Sequence, residues 1–209
     1  MKRKYPRTFH VNWSAGSTDD DKMHKDLSFF EGKEIVISEK LDGENTNMMN
    51  DCIFARSTDS VDHPSRHWVK GLWGKIKHDI PDNWKICGEN LYATHSLHYT
   101  NLSTYFMVFS IWDENDICLS IDDTLTTCEF LGLEHVPILW RGIYDADFIK
   151  NFKINTDIQE GFVIRLANSF SFENFETSVA KWVRKGHVVT DDHWMFKKII
   201  PNELKPFTA

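Results

Sequence analysis

A lysine followed two residues later by an Asp-Gly pair is the most chemically suggestive feature of this sequence. Lys40 lies in the stretch Ser-Glu-Lys-Leu-Asp-Gly-Glu-Asn, residues 38–45, directly after an apolar run. An amine at the exit of a strand, beside a glycine that lets backbone approach a ligand closely, can act as a nucleophile toward that ligand. Taken alone, however, the pattern favours a solvent-exposed lysine at the edge of a hairpin.

Five further motifs follow Lys40, four of them beside or within an apolar run and one of them, Phe106–Asp113, an apolar strand itself. They are Arg56-Ser57, Cys87–Leu91, Phe106–Asp113, Glu160–Arg165 and Ala180–Lys185. Any one of these motifs arises often by chance, whereas all of them in this order are specific. Their joint occurrence therefore favours a chemical role for Lys40.

Short apolar runs must position these motifs. Rich in β-branched or aromatic residues and bounded by turn residues, they predict strands over residues 33–38, 52–55, 84–87, 105–112 and 161–166. A hairpin is predicted between Leu41 and Arg56, with Asn50-Asp51 as its turn. Lys40 would then lie at the end of a strand or in the loop that leaves it.

Two helices are predicted between these strands. Apolar residues at helical spacing predict an amphipathic helix over residues 65–79 that Ser65 caps. A second helix is predicted from Asp122 or Asp123, either of which can cap it, to Gly132. Strands dominate and no regular β-α-β alternation is present, so the sequence predicts an α+β fold with largely antiparallel sheets.

The first predicted helix has a basic outer face and no acid between residues 66 and 78. Such a face is usually just solvated, but it is also a candidate surface for a nucleic-acid backbone. Its basic residues are Arg66, Lys70, Lys75 and Lys77. His63 and His67 have the spacing of zinc ligands, but no third ligand follows at a suitable distance, which disfavours zinc.

Length and composition bound the class of protein. The 209 residues are 41% hydrophobic and 13% aromatic, which suffices for a buried core and excludes disorder, collagen and coiled coil. A formal net charge of −7 argues against a protein that coats nucleic acid. The four isolated cysteines indicate reduced thiols, and with no apolar run of membrane length or secretory signal we expect a cytoplasmic protein without membrane contact.

The order and spacing of the six motifs resemble the covalent nucleotidyltransferase superfamily of polynucleotide ligases and mRNA capping enzymes. The resemblance covers residues 40–185 and implies an ATP-grasp-like core of antiparallel sheets flanked by helices. Glu-Lys-Leu-Asp-Gly-Glu-Asn is most similar to RNA ligases of the phage RNA ligase 2 type and their small bacterial and viral relatives, because DNA ligases tend to carry arginine where this chain has Asn45. This resemblance implies an ATP-dependent RNA ligase. If the chain is viral, the expected location is the host cytoplasm.

The resemblance also implies a catalytic set. Lys40 would attack the α-phosphate of ATP and become lysyl-AMP, from which AMP passes to an RNA 5′-phosphate before a 3′-hydroxyl displaces it. Glu160 would orient the lysine and a divalent ion, Mg²⁺ or Mn²⁺. Lys181 would grip the α-phosphate.

The remaining implied residues bind the nucleotide. Arg56 would contact the ribose or the incoming 5′-phosphate, Glu89 the ribose hydroxyls, and Glu39 the adenine amino group. Adenine would stack on Phe109, with Phe106 as the alternative. The resemblance also assigns Asn45 to ATP binding. It further implies a second phosphate-binding residue, which is either Arg184 or Lys185.

A lysine is protonated at neutral pH and must be tuned before it can attack. A nearby cation and partial burial lower the pKa of an amine. Lys181, together with Lys185, could supply that cation, so we expect the pKa of Lys40 to be lowered.

The resemblance leaves rival functions open. These are an ATP-dependent DNA ligase or nick sealer, a capping-type guanylyltransferase, and a catalytically idle nucleic-acid-binding module with the same fold. Ligases of this superfamily usually add an oligonucleotide-binding domain, whereas residues 186–209 and 1–32 are too short for one. We therefore expect a single catalytic domain over residues 1–209 that acts on RNA ends, with an end-processing or accessory protein as a possible further partner.

Overall fold

Two β-sheets carry the architecture of the protein. The computed structural model describes residues 2–18, 20–59, 61–186 and 199–206. Its strands are β1 (Phe9–His10), β2 (Glu34–Lys40), β3 (Glu44–Met48), β4 (Ile53–Ala55), β5 (Lys85–Asn90), β6 (Phe106–Trp112), β7 (Ile117–Cys118), β8 (Glu134–His135), β9 (Ile138–Ile143), β10 (Gly161–Leu166), β11 (Phe170–Ser171) and β12 (Val179–Val183). Its helices are α1 (His67–Ile76), α2 (Ile121–Leu131) and α3 (Ala146–Lys150), with 3₁₀ turns at Ser28–Phe30, Pro64–Arg66 and Phe172–Thr177.

The first sheet has the strand order β1-β12-β10-β2-β9. Its central strands are antiparallel, and their side chains alternate between two environments. Ile35, Ile37 and Phe162 enter an apolar core on one face. The opposite face carries polar side chains, so this alternation aligns functional groups from three strands on one surface.

The second sheet has the order β11-β7-β6-β5-β3-β4, with β8 beside β6. Its outer face packs against α1 and α2 through a core that includes Val69, Phe106 and Leu131. The chain passes from the first sheet to the second through Leu41-Asp42-Gly43, which joins β2 to β3. That connection places the end of β2 between the two sheets.

The predicted elements are confirmed, with shifted boundaries. The α+β class with largely antiparallel sheets is correct, and β10 has the predicted bounds. The hairpin turns at Asn50-Asp51, where the Met49 N–H donates to the Cys52 carbonyl. Lys40 is the last residue of β2.

Both helix starts differ from the prediction. Residues 64–66 form a 3₁₀ turn, and the His63 side chain, not Ser65, accepts a hydrogen bond there, from the Ser65 N–H. Ser120 caps α2 by accepting from the Asp123 N–H, so the two aspartates lie in the first turn. Gly132 ends α2 with a φ of 65°, as predicted.

The segments flanking the predicted strands are part of the fold. β1 pairs in parallel with β12, a pairing that was not predicted because it joins residues about 170 positions apart. Near the other end, the buried Asn202 side chain donates to the carbonyl of Leu91 and accepts from the Tyr99 N–H. These contacts fix the loop between β5 and β6.

Other sequence features have simple outcomes. All four cysteines are free thiols, and Cys52 is only half-buried, whereas the other three are buried. Within the described ranges, no helix has the length and apolarity to cross a bilayer.

Candidate active site

A cavity of about 360 Å³ lies between the two sheets. This volume falls within the range typical of small-molecule sites. Its walls come from both sheets and from the segment before β1. The predicted site residues that line it are Glu39, Lys40, Asn45, Arg56, Glu89, Phe109 and Lys181.

The sharp connection between β2 and β3 sets the position of Lys40. A Cβ at Gly43 would lie 2.4 Å from the Asn90 carbonyl oxygen, so only glycine permits this approach. The Gly43 N–H donates to Glu89 Oε1 at 3.1 Å. Glycine thus draws the connection onto β5 and brings Glu89 toward Lys40.

Asp42 anchors the same connection to the loop between β5 and β6. Its Oδ2 accepts hydrogen bonds from the Ser96 N–H and hydroxyl, both at 2.7 Å, and from the Leu97 N–H at 2.8 Å. The Asp42 N–H donates to the Tyr99 hydroxyl oxygen at 3.0 Å. Asp42 therefore anchors the segment of chain that carries Lys40.

Glu160 forms an ion pair with Lys40. Lys40 lies opposite Gly161 in the β2–β10 register, so Glu160 precedes the strand directly beside the lysine. The Lys40 Nζ donates to Glu160 Oε2, and the side chain of Glu160 is 4% exposed against 25% for Lys40. A Cβ at Gly161 would lie 2.1 Å from the Trp182 carbonyl oxygen, so glycine is also required at this strand start.

The expectation of a lowered pKa for Lys40 is wrong. Burial opposes the positive charge, but the neighbouring carboxylates of Glu160 and Glu89 outweigh it and raise the pKa of Lys40. The expectation considered burial and the cations near Lys40, but not the two carboxylates. Acids that sit far away along the chain surround the amine, which makes it a stable cation when no ligand is bound.

The pKa values of the two acids beside Lys40, Glu89 and Glu160, are also raised. Burial raises the pKa of Glu89 to about 8, even though the charge of Lys40 opposes this effect. Burial likewise raises the pKa of Glu160 above its usual range, again against Lys40. Two carboxyl groups with raised pKa values therefore flank the amine.

Four further cations line the cavity around Lys40: Lys181, Arg56, Arg7 and Arg165. Burial and the charge of Lys40 lower the pKa of Lys181 to about 8. Burial and the charge of Arg7 lower the pKa of Arg56. Cations that repel one another in a cavity form a suitable environment for an anion.

An apolar wall lies beside these charges. Phe109 lines the cavity, and the Tyr5 ring meets it edge-on, with centroids 5.2 Å apart. The guanidinium of Arg165 donates to the Phe109 carbonyl at 3.4 Å. Phe106, the alternative, is fully buried in the core against α1 and does not line the cavity.

Two other predicted residues, Glu39 and Asn45, lie on the strands that border the cavity. Burial raises the pKa of Glu39. Asn45 lies opposite Glu89 in the β3–β5 register, and its side-chain oxygen accepts from the Asn47 amide at 2.9 Å. Both line the cavity beside Lys40.

The predicted second phosphate residue does not line this cavity. Lys185 is exposed beyond the end of β12. Arg184 is half-buried, and its guanidinium lies 3.4 Å from the Ser96 hydroxyl, near the loop that holds Asp42. Neither Arg184 nor Lys185 is therefore among the cations that line the cavity around Lys40.

The predicted basic face of α1 is partly wrong. Arg66 is buried and forms a two-pronged ion pair with Glu44, because residue 66 belongs to the 3₁₀ turn that packs on β3. Lys70 pairs with Asp62, and the Lys77 ammonium lies 5.1 Å from the Trp73 ring centroid. Lys75 is exposed.

Several cavity residues were not predicted from the sequence. They are Tyr5, Pro6, Arg7, Thr8, Asp21, Ser38, Ser110 and Arg165. Ser38 and Arg165 could have been predicted from the sequence. Both alternate with core residues on strands that carry predicted site residues. The residues before β1 could not have been predicted, since only the pairing with β12 brings them here.

The acids near Lys40 bear on metal binding, although Glu160 contacts Lys40 without lining the cavity. Among the described residues, no group of three or more acids, histidines or cysteines could hold an ion alone. The buried Glu160 and the half-buried Glu89 nevertheless both lie near Lys40, and the charge of Glu160 adds to the burial that raises the pKa of Glu89. Two such carboxylates fit Mg²⁺ or Mn²⁺ held largely by substrate phosphates and water.

The family of the chain follows from comparison with known proteins. The model of the RNA ligase family matches residues 33–183, so the chain belongs to the RNA ligase family. This confirms the family resemblance that the motifs carried. Among curated proteins, none matches the sequence.

Solved structures of ligases share the fold. An archaeal ATP-dependent RNA ligase has a TM-score of 0.61 at 15% identity, over 87% of this chain and 48% of its own. A putative ATP-dependent DNA ligase from Aquifex aeolicus has a TM-score of 0.56 at 20% identity, over 87% and 50%. A mutant Naegleria gruberi RNA ligase with ATP and Mn has a TM-score of 0.52 at 16% identity, over 76% and 52%. The chain thus spans about half the length of these proteins.

Proposed function

We propose that this protein is an ATP-dependent RNA ligase that joins 5′-phosphate and 3′-hydroxyl ends through lysyl-AMP. The observation that carries the proposal is the placement of Lys40, paired with Glu160, in a cavity that also holds Lys181 and Phe109. A nucleophile, an acid, a group of cations and an aromatic wall are the parts that nucleotidyl transfer needs. Membership of the RNA ligase family supports the same conclusion.

In the first step the Lys40 amine attacks the α-phosphorus of ATP. The nitrogen–phosphorus bond forms as the bond to the bridging oxygen breaks, and pyrophosphate leaves. Before this step Lys40 must lose a proton, and Glu160 Oε2 is the acceptor within hydrogen-bond reach. The raised pKa of Glu160, which burial causes, makes that carboxylate a better base than an exposed one.

Other residues of the cavity bind the nucleotide in this proposal. Adenine stacks on the apolar face of Phe109, and Glu39 accepts a hydrogen bond from the adenine amino group. Glu89 and Arg56 contact the ribose, with Arg56 also available to the 5′-phosphate of the second step. Lys181 neutralises the α-phosphate as charge develops. A bound Mg²⁺ or Mn²⁺ near Glu160 would supply further charge neutralisation.

Later steps would require RNA ends as substrates. AMP moves from Lys40 to a 5′-phosphate, which then carries a good leaving group, and a 3′-hydroxyl displaces AMP. A cytoplasmic location would provide both ATP and RNA. The chain spans about half the length of the ligases that it resembles. We therefore include in the proposal that an accessory protein takes part in sealing.

Covalent labelling tests the first step. The protein is incubated with ATP and Mg²⁺, and its intact mass is measured. We expect a gain of one AMP, located on Lys40 by peptide mapping, and no gain for Lys40→Ala. Lys75→Ala, an exposed lysine of α1, serves as the control and should label normally. Absence of the adduct, or an adduct in Lys40→Ala, contradicts the proposal.

The nucleotide and the polymer decide between the rival functions. A DNA ligase is the second candidate, and the structural likeness to the Aquifex aeolicus protein favours it. Labelling by GTP in place of ATP would indicate a capping-type enzyme. Labelling without any sealing of RNA or DNA ends would indicate that a partner supplies the later steps.

A further inference from the structure

Arg7 reaches the cavity from the segment before β1. β1 pairs with β12 so that His10 lies opposite Lys181, and the Val11 N–H donates to the Lys181 carbonyl at 2.9 Å. The same strand pair therefore positions Arg7 and Lys181. Both side chains line the cavity that contains Lys40.

Asp21 holds the Arg7 guanidinium. Arg7 Nη2 donates to Asp21 Oδ1 at 3.1 Å, while Oδ2 accepts from the Thr18 N–H and hydroxyl at 3.1 and 3.0 Å. Although burial opposes its charge, the Thr18 hydrogen bonds and the nearby His10 lower the pKa of Asp21 to about 2. Asp21 therefore remains an anion that orients Arg7 at any physiological pH.

The arrangement leaves donors of Arg7 available to a ligand. The Arg7 side chain is 44% exposed, against 14% for Asp21, so the guanidinium is the more accessible member of the pair. Across the described ranges, the Arg7 side chain has one hydrogen-bond acceptor, which is Asp21. A guanidinium has five N–H donors in a planar fork that matches phosphate geometry.

Arg7 also adds to an excess of positive charge. Its charge helps to lower the pKa of Arg56 and of Lys181, after burial in both cases. The fold thus keeps Arg7 close enough to Arg56 and Lys181 for their charges to repel, while Asp21 is the carboxylate that pairs with Arg7. A bound polyanion would relieve their repulsion.

We propose that Arg7 is a phosphate-binding residue, held by Asp21, that binds a phosphate group next to the one attacked by Lys40. The proposal rests on the proposed function and extends it to a residue outside the six motifs. The phosphate belongs either to the terminal phosphates of ATP, which leave as pyrophosphate, or to the 5′ end of RNA. Asp21 is the positioning residue.

The test compares Arg7→Ala with Arg3→Ala in the full-length protein. Arg3 is a matched control, because it lies in the same segment, is 42% exposed and donates to Asp116 Oδ2 at 2.8 Å, yet does not line the cavity. Rates of adduct formation are measured against ATP concentration. AMP transfer from isolated adenylylated protein to 5′-phosphorylated RNA is measured separately.

The two measurements separate the two sources of phosphate. If Arg7 binds the terminal phosphates, Arg7→Ala raises the half-saturating ATP concentration about tenfold to a hundredfold and leaves AMP transfer unchanged. If it binds the RNA end, AMP transfer falls by a similar factor and adduct formation is unchanged. Arg7→Lys should restore part of either loss. Arg7→Ala that matches Arg3→Ala in both measurements overturns the proposal.

A binding experiment keeps the test independent of catalysis. Inorganic pyrophosphate is titrated calorimetrically into wild type, Arg7→Ala, Asp21→Asn and Arg3→Ala, with thermal melting as a check of folding. We expect weaker binding for Arg7→Ala, a smaller loss for Asp21→Asn and none for Arg3→Ala. If wild type forms no adduct with ATP, the proposed function fails. If neither pyrophosphate binding nor AMP transfer depends on Arg7, the phosphate site fails.

Discussion

Lys40 and Glu160 are 120 residues apart in sequence and form an ion pair at the edge of the cavity, with the carboxylate buried and the amine half-buried. The pair exists because β2 ends opposite the residue at which β10 begins. It places a proton acceptor directly on the amine. It also keeps that amine charged until the carboxylate is engaged elsewhere.

The first prediction concerns the charge of Lys40. Glu160→Gln removes the main attraction that raises the pKa of Lys40, so the amine should lose its proton at a lower pH than in wild type. Competitive labelling with an amine-reactive reagent across a pH range of about 7 to 11, read by peptide mass spectrometry, measures this. Lys75 should show the same profile in both proteins. An unchanged Lys40 profile would mean that Glu160 does not control the amine.

The second prediction concerns catalysis. Glu160→Ala and Lys181→Ala should each slow adduct formation by ~10²–10³, the usual effect of losing one preorganised electrostatic contact. Single-turnover labelling with ATP gives the rates, and thermal melting shows whether the variants fold. Glu129→Ala, on the exposed face of α2, is the control. Near-normal labelling of either variant would assign its proposed role to a different residue.

The third prediction is a pH dependence of nucleotide binding. Burial and Lys40 lower the pKa of Lys181 to about 8, so its charge disappears as the pH rises through that value. Affinity for an ATP analogue with a methylene between the α- and β-phosphorus should therefore fall as the pH rises from about 7 to about 9.5. Lys181→Arg keeps its charge, so its affinity should fall less than that of wild type over this range, with Glu89 as the remaining titrating group. Calorimetry gives both curves, and parallel curves would contradict the assignment.

The fourth prediction links function to stability. Burial raises the pKa of Glu89 from 4.5 to about 8, so the folded protein binds the proton more tightly than the unfolded chain. Stability is then lost as the pH rises through this window. Glu89→Gln cannot ionise and keeps an oxygen for the Gly43 N–H, so its melting temperature should exceed that of wild type by a few degrees at about pH 8.

The difference in melting temperature should shrink toward acidic pH, where Glu89 becomes protonated in both folded and unfolded wild type. Adduct formation should decrease in Glu89→Gln mainly above about pH 8, where the wild-type carboxyl group is ionised. A variant that is less stable than wild type near pH 8 would show that the Glu89 charge stabilises the fold.

The fifth prediction concerns the sugar of the acceptor strand. If the enzyme is an RNA ligase, a nick with ribonucleotides at the 3′-hydroxyl end should be sealed much faster than one with deoxynucleotides there, because the 2′-hydroxyl and A-form geometry position the attacking oxygen. Lys70, Lys75 and Lys77 should add a salt-sensitive contribution to binding. Equal sealing of both nicks would favour the DNA ligase alternative without affecting lysyl-AMP formation.

Most of the strands and helices, and the identities of the key side chains, follow from the amino-acid sequence. Local alternation in β2 and β10 depends on the side-chain period of two, which any strand must obey. The family resemblance that the order of the motifs carries singles out Lys40, Glu160 and Lys181. The helices were also predictable, because an apolar stripe at helical spacing needs no knowledge of distant partners.

Which charges meet depends on the tertiary structure. A nearby cation was expected to lower the pKa of Lys40, but the crossing at Asp42-Gly43 and the register of β2 with β10 surround it with acids, and the pKa is raised. Arg66 was expected on an exposed face, but its 3₁₀ turn packs it on Glu44. Arg7 enters the cavity only through the β1–β12 pairing. Electrostatic interactions depend on distance in space, which sequence spacing does not encode.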